Sequence, residues 1–156
     1  MKALTAIDER CVGCRLCEVA CALKHYDVEN PKKSAVKVYQ RFPKPGVNEP
    51  VFCRQCTSPP CVGACASGAL TKRKNSAIKI DASKCDNCGS CTKACPFRAI
   101  FVHKDLKLPI ICDLCEGDPE CAKICPSKAI MYVPEGSIGE ARRSWLIDRQ
   151  DSVRRI

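Results

Sequence analysis

Sixteen cysteines in 156 residues fall into four quartets with none left over, and no other feature restricts the fold as tightly. Cys11, Cys14, Cys17 and Cys21 make the first, spaced C-x2-C-x2-C-x3-C. Cys53, Cys56, Cys61 and Cys65 make the second, with two extra residues before the third cysteine. Cys85, Cys88, Cys91 and Cys95 repeat the first spacing and are followed by Pro96. Cys112, Cys115, Cys121 and Cys125 carry three extra residues at the same place and are followed by Pro126. The flanks repeat too: Gly68-Ala69-Leu70, Arg98-Ala99-Ile100 and Lys128-Ala129-Ile130 close three quartets at thirty-residue intervals. Such self-similarity marks a repeated supersecondary unit. It reads as a strand, a ligand loop, a short helix carrying the fourth cysteine and a return strand, with β-rich pieces at 4–8, 77–81, 100–102 and 130–133.

Three chemistries use cysteine at this density. A secreted disulfide framework calls for an export signal, whereas here the first cysteine arrives at position 11 with no apolar stretch before it. Zinc prefers two C-x2-C pairs closing a tetrahedron and has no use for a third cysteine at this spacing. Three thiolates on one tight loop, with a fourth three residues on, suit a cuboidal iron–sulfur core. Metal–sulfur bonds also compensate for a thin core, since aromatic residues make up 5% of the chain with a single Trp. A formal charge of +9 would ordinarily point to nucleic acid or an anionic membrane. Four thiolates around an oxidised [4Fe–4S] core bring about −2 per site, or about −8 over four sites. The excess Lys and Arg therefore reads as compensation for cluster charge, and nucleic acid is not an expected partner.

Between the first two quartets, residues 22–52 hold a helix tail at Lys24-His25-Tyr26 and an alternating, half-buried strand at 34–40, broken by Pro43, Pro45 and Gly46. The connector 66–84 is strongly basic, with Lys72, Arg73, Lys74, Lys79 and Lys84. It reads first as a solvated hairpin and, functionally, as a docking face for an acidic partner. After Pro134 the repeat stops. Trp145, Leu146 and the nearby Arg residues form either a partner-interaction segment or a tail folded back on the body.

The order of spacings over residues 1–133 resembles the four-cluster ferredoxin-type electron-transfer subunits of molybdenum and tungsten oxidoreductases, formate-hydrogenlyase-type complexes and carbon monoxide dehydrogenase. The chain looks most like the small iron–sulfur subunits of tungsten aldehyde oxidoreductases or of carbon monoxide dehydrogenase, and the absence of Pro after Cys21 and Cys65 is a mild departure. The resemblance implies an α+β, loop-rich fold of two bacterial-ferredoxin-like 2×[4Fe–4S] modules, the second inserted within the first. The outer module would span about 1–52 and 101–133, the inner about 53–100, and 134–156 would be a partner-interaction tail. It further implies four [4Fe–4S] clusters, cross-ligated between quartets. Cys11, Cys14, Cys17 and Cys125 would hold one; Cys21, Cys112, Cys115 and Cys121 its mate. Cys65, Cys85, Cys88 and Cys91 would hold the third; Cys53, Cys56, Cys61 and Cys95 the fourth.

The implied role is a non-catalytic relay between a catalytic oxidoreductase subunit and a second redox protein or flavin subunit, in the cytoplasm and without a membrane span. A carbon monoxide dehydrogenase- or hydrogenase-associated subunit and a stand-alone polyferredoxin are the alternatives, and head-to-tail self-association into a wire stays open. No nucleophile–base pair or phosphate loop is evident, and full cysteine ligation leaves no open metal position for substrate. His25 and His103 read as exposed or hydrogen-bonded to sulfur rather than as ligands. Gly13, Gly63 and Gly89 would let amides approach sulfur. Asp113, Glu116, Asp118 and Glu120 crowd the fourth loop, so the cluster held by Cys112, Cys115 and Cys121 is expected to be the hardest to reduce.

Overall fold

A computed structural model describes residues 2–43, 46–73, 77–144 and 147. Its elements are short. Strand β1 (Lys2–Ala6) leads into the first cysteine loop and then α1 (Leu16–Tyr26). The hairpin of β2 (Val36–Gln40) and β3 (Asn48–Phe52) follows, then α2 (Pro60–Gly63), β4 (Leu70–Lys72) and β5 (Ile78–Ile80). The chain continues through α3 (Ser90–Ala94) and α4 (Glu120–Ile124) to β6 (Ile130–Pro134). The result is a mixed helix and strand fold with small sheets.

The sequence places the fourth cysteine on the short helix, and the structure moves it. Only Cys21 lies inside a helix; Cys95 and Cys125 are the first residues past α3 and α4. The prolines explain this, because a residue before Pro is pushed out of the helical region. Cys95 and Cys125 accordingly have φ/ψ of −77°/112° and −66°/107°. No proline follows Cys21, so α1 runs on through good helix formers to Tyr26. That extra length sets His25 in place.

Three two-stranded antiparallel ladders result, β1 with β6, β2 with β3 and β4 with β5. The first joins the beginning of the chain to its late part, with Leu4 opposite Tyr132, and α1 packs on α4 beside it. Further along, α2 packs on α3 next to the β4–β5 hairpin. Each side has its own hydrophobic cluster. One gathers Leu4, Val36, Phe52, Leu114 and Ile130 with Cys17, Cys21, Cys121 and Cys125. The other gathers Leu70, Ile78 and Ile100 with Cys53, Cys61 and Cys91. Cys112 packs against both.

Strand β3 is absent from the sequence reading because Asn48 and Pro50 are poor strand residues. The ladder accommodates Pro50, which lies opposite Val38. Val38 sends its N–H not across the hairpin but to the carboxylate of Glu18 (2.7 Å), giving that buried acid a partner. A proline at such a place costs the ladder nothing. The strand expected at 100–102 shrinks to one bridge between Phe101 and Ile110. Residues 138–144 are helical. Trp145 and Leu146, the anchors of the expected interaction tail, lie outside the described residues, as does Lys74. Among the described residues no helix is long and apolar enough to cross a membrane.

Candidate metal centre

All sixteen cysteines are free thiols. In each quartet the residue before the second cysteine curls into the left-handed region: Gly13 (φ 71°), Gln55 (50°), Asn87 (56°) and Leu114 (62°). This reversal wraps the loop so that successive amides face inward, an anion-binding concavity. Glycine is required at only one of the four. A Cβ on Gly13 would lie 2.8 Å from Oδ1 of Asn48, whose Nδ2 donates to the Cys11 carbonyl (3.0 Å). Gly89 shares the left-handed geometry (φ 75°), whereas Gly63 sits within α2 without it, so its expected loop role does not hold.

The loops bring thiols from different quartets together. Cys65 faces Cys85, Cys88 and Cys91 around one small hole. Cys21 faces Cys112, Cys115 and Cys121 around another. A third group forms where burial, then the charges of Glu18, Cys11, Cys125 and Cys14, push Cys17 up to about 12. A fourth forms where burial, then Cys61, Cys56 and Cys95, push Cys53 up to about 11 against a backbone hydrogen bond at Gln55 that lowers it.

Neighbouring groups lie close enough to influence one another's charge. Cys121 is raised by burial and by Cys21, Cys115 and Cys17; Cys112 is raised by burial and by Cys121, Cys53 and Cys21. Cys91 is raised by burial and by Cys61 and Cys65, against backbone hydrogen bonds that lower it. The four groups therefore succeed one another as a row, starting from the group with Cys14 and ending at the group with Cys88. Those two cysteines are the exposed ones.

Donors surround the sulfurs. Ala35 N–H reaches Cys21 Sγ at 3.3 Å and Ala99 N–H reaches Cys95 Sγ at 3.4 Å. The hydroxyls of Ser67, Ser90 and Ser127 lie 3.6, 3.3 and 3.7 Å from the sulfurs of Cys65, Cys88 and Cys125. The Ser67 hydroxyl and the backbone N–H groups of Leu70, Ala69 and Gly68 hold the Cys65 thiol below its usual range. These serines went unnoticed in the sequence, although a serine two residues past the fourth cysteine recurs in quartets two and four. Gln55 was missed too: its Nε2 donates to the Cys112 carbonyl (2.7 Å) while its Oε1 accepts from Ile78 N–H (3.1 Å).

The acids of the fourth loop do not stand as bare charges. Glu116 lies 3.7 Å from Arg73, and Lys123 pairs with both Asp118 and Glu120. Asp113 Oδ1 accepts from Cys115 N–H (2.9 Å) and lies 3.5 Å from His25 Nε2. The same pairings occupy the basic connector: Arg73 is taken by Glu116, Lys84 by Asp81 (3.8 Å), and Lys72 Nζ donates to the Cys56 carbonyl at 2.7 Å. Lys72, Arg73 and Lys84 thus have partners within the fold.

Soft thiolates walling a small hole, with amide and hydroxyl donors aimed at the sulfurs, fit an iron–sulfur group and define a protein of ferredoxin type. The chain belongs to the 4Fe-4S dicluster domain family, whose model matches residues 47–135. Over 84 residues it is 43% identical to the aliphatic sulfonate oxidoreductase, polyferredoxin-like subunit of Pyrococcus furiosus, covering 53% of this chain and 47% of that protein. Over 91 residues it is 33% identical to the thiosulfate reductase electron transfer subunit PhsB of Salmonella typhi, covering 54% and 46%. The matched stretch thus spans about half the length of these curated relatives. A chain of the active site complex BamBC of benzoyl coenzyme A reductase, solved with benzoyl-CoA, aligns over 99% of this chain and 97% of its own, with 28% identity and a TM-score of 0.50.

Proposed function

We propose that this chain is an electron-transfer subunit, relaying single electrons through four [4Fe–4S] clusters between a catalytic oxidoreductase subunit and a second redox partner. The single observation that carries this reading is the row of four thiol groups with its exposed cysteines, Cys14 and Cys88, at the two ends. When bound, such clusters supply reversible one-electron transfer between their 2+ and 1+ states. The ligand sets of this proposal are the four groups: Cys11, Cys14, Cys17 and Cys125; Cys21, Cys112, Cys115 and Cys121; Cys53, Cys56, Cys61 and Cys95; Cys65, Cys85, Cys88 and Cys91.

The chain's own residues do the rest. Amide, hydroxyl and imidazole groups neighbour the sulfurs, and the two middle groups contain no fully exposed cysteine. Val12 (67% exposed) and Leu16 (44%) flank Cys14 and give that end an apolar rim for a partner. The β1–β6 and α1–α4 pairings support an outer module of about 1–52 and 101–133, and β4–β5 with α2–α3 supports an inner module of about 53–100 inserted within it. Residues 134–156 are proposed as a partner-interaction tail.

The relatives named as subunits of aliphatic sulfonate oxidoreductase and thiosulfate reductase, and the neighbour in an active site complex, support assembly with a catalytic oxidoreductase subunit. We take the tungsten or molybdenum aldehyde-oxidoreductase type as that partner's class. Untagged, anaerobic purification from the native cell tests it. The chain is expected to co-elute with a larger molybdenum- or tungsten-containing subunit whose substrate bleaches the clusters. Elution of the fully loaded chain alone, with no bleaching by any co-eluting enzyme's substrate, would contradict the role.

A further inference from the structure

We propose that His25 sets the reduction potential of the metal group at Cys115 by donating a hydrogen bond from its Nε2–H to that sulfur. The inference rests on the reading above that Cys21, Cys112, Cys115 and Cys121 share one cluster. Nε2 of His25 lies 3.5 Å from Cys115 Sγ, and the imidazole lines the same cavity as those four cysteines.

The sequence distance between the two residues is 90, so the contact depends on the fold. Helix α1 carries His25 there only because it continues one turn past Cys21, where the proline-stopped helices α3 and α4 end before their fourth cysteine. The nearby acids do not act alone: Glu116, Asp118 and Glu120 each pair with a cation, and Asp113 is engaged by the Cys115 amide and lies 3.5 Å from the same His25 Nε2. A hydrogen bond to a ligating sulfur favours the more negative, reduced state and so raises the potential. His25 thereby opposes the acidic loop, and the group at Cys115 is easier to reduce than its charges alone imply. Elsewhere among the described residues, serine hydroxyls lie 3.6 and 3.7 Å from the sulfurs of Cys65 and Cys125, and at Cys88 the thiol donates to Ser90 Oγ.

The test is an anaerobic redox titration of the loaded, full-length protein, followed by electron paramagnetic resonance. His25→Leu removes the donor and His25→Gln returns an N–H at the Nε2 position. In His25→Leu one component is expected to become about tenfold less reduced at fixed potential, a shift of about 59 mV for one electron. Iron content should not change, and His25→Gln should recover most of the shift. Unmoved potentials in His25→Leu, or an equal shift in both variants, would overturn the proposal. Cys115→Ser separates it from the ligand reading. Should Cys115→Ser perturb a component other than the one His25→Leu moves, the hydrogen-bond proposal fails while the ligand set survives. Should it leave every component unchanged, the ligand set fails as well.

Discussion

Protein stripped of iron under reducing conditions will lose its cooperative unfolding transition. The reason lies in what remains once the metal is gone. Helices α2, α3 and α4 span four or five residues, well below the length at which a helix persists unaided. Each sheet is a single pair of strands, which is marginal in water. Among the described residues the core holds one buried aromatic, Phe52, with many small residues: Ala22, Ala35, Ala69, Ala77, Ala99 and Ala129. Cys17, Cys21, Cys53, Cys61, Cys91, Cys121 and Cys125 occupy the buried positions that large apolar side chains would otherwise fill. Structural metal sites contribute on the order of 10 kcal/mol each to small folds, more than the whole net stability of many domains. Circular dichroism during urea titration should show one sharp transition for the loaded protein and a shallow, featureless slope for the metal-free one. A metal-free protein that unfolds at the same urea midpoint would show that side-chain packing holds the fold.

The second large effect concerns the middle of the row. Cys112 packs against both hydrophobic clusters, its carbonyl is held by Gln55, and its thiol is raised in part by Cys53 of the next group. Cys112→Ser is close to isosteric but replaces a thiolate with a poor ligand for iron. Removing an outer-shell partner costs about 10–100-fold in metal affinity, so loss of a direct ligand should cost at least the upper end of that range. Cys14→Ser, at the exposed end, should lose a similar amount of iron. The two variants should then differ sharply in communication. When electrons are delivered at one end by a photoreductant tethered to a surface cysteine, Cys14→Ser should still equilibrate its remaining groups. Cys112→Ser should divide its three remaining groups, one from two, into a fast-reduced set and a set reduced at least tenfold more slowly. Equal behaviour of the two variants would dismiss the linear order.

The cysteine spacing made the chemistry legible, because iron–sulfur cores demand thiolates in a pattern that neither zinc nor disulfides use. Which quartets share a site could not be read from spacing, since the cavities form from loops far apart in sequence; the cross-linked grouping came from family resemblance. Local rules went astray where a tertiary partner intervened. Strand β3 was hidden by Asn48 and Pro50, whose places depend on the Cys11 carbonyl and on Glu18 drawing the Val38 N–H away. Cys95 and Cys125 left their expected helices for a reason printed in the sequence: Pro96 and Pro126 bar the helical conformation before them. The acids of the fourth loop looked like a bare negative patch because Arg73 reaches Glu116 only in the folded chain, and because the local pairing of Lys123 with Glu120 and Asp118 was not weighed. His25 was read as exposed or bonded to sulfur, and which sulfur depended on how far α1 runs.

The central claim is that sixteen thiolates hold four cuboidal clusters. Iron and acid-labile sulfide measured on anaerobically prepared protein, with Mössbauer spectra of the same sample, address it most directly. The account predicts about sixteen irons and sixteen sulfides per chain, all in [4Fe–4S] form. About eight irons, or zinc in their place, would contradict it.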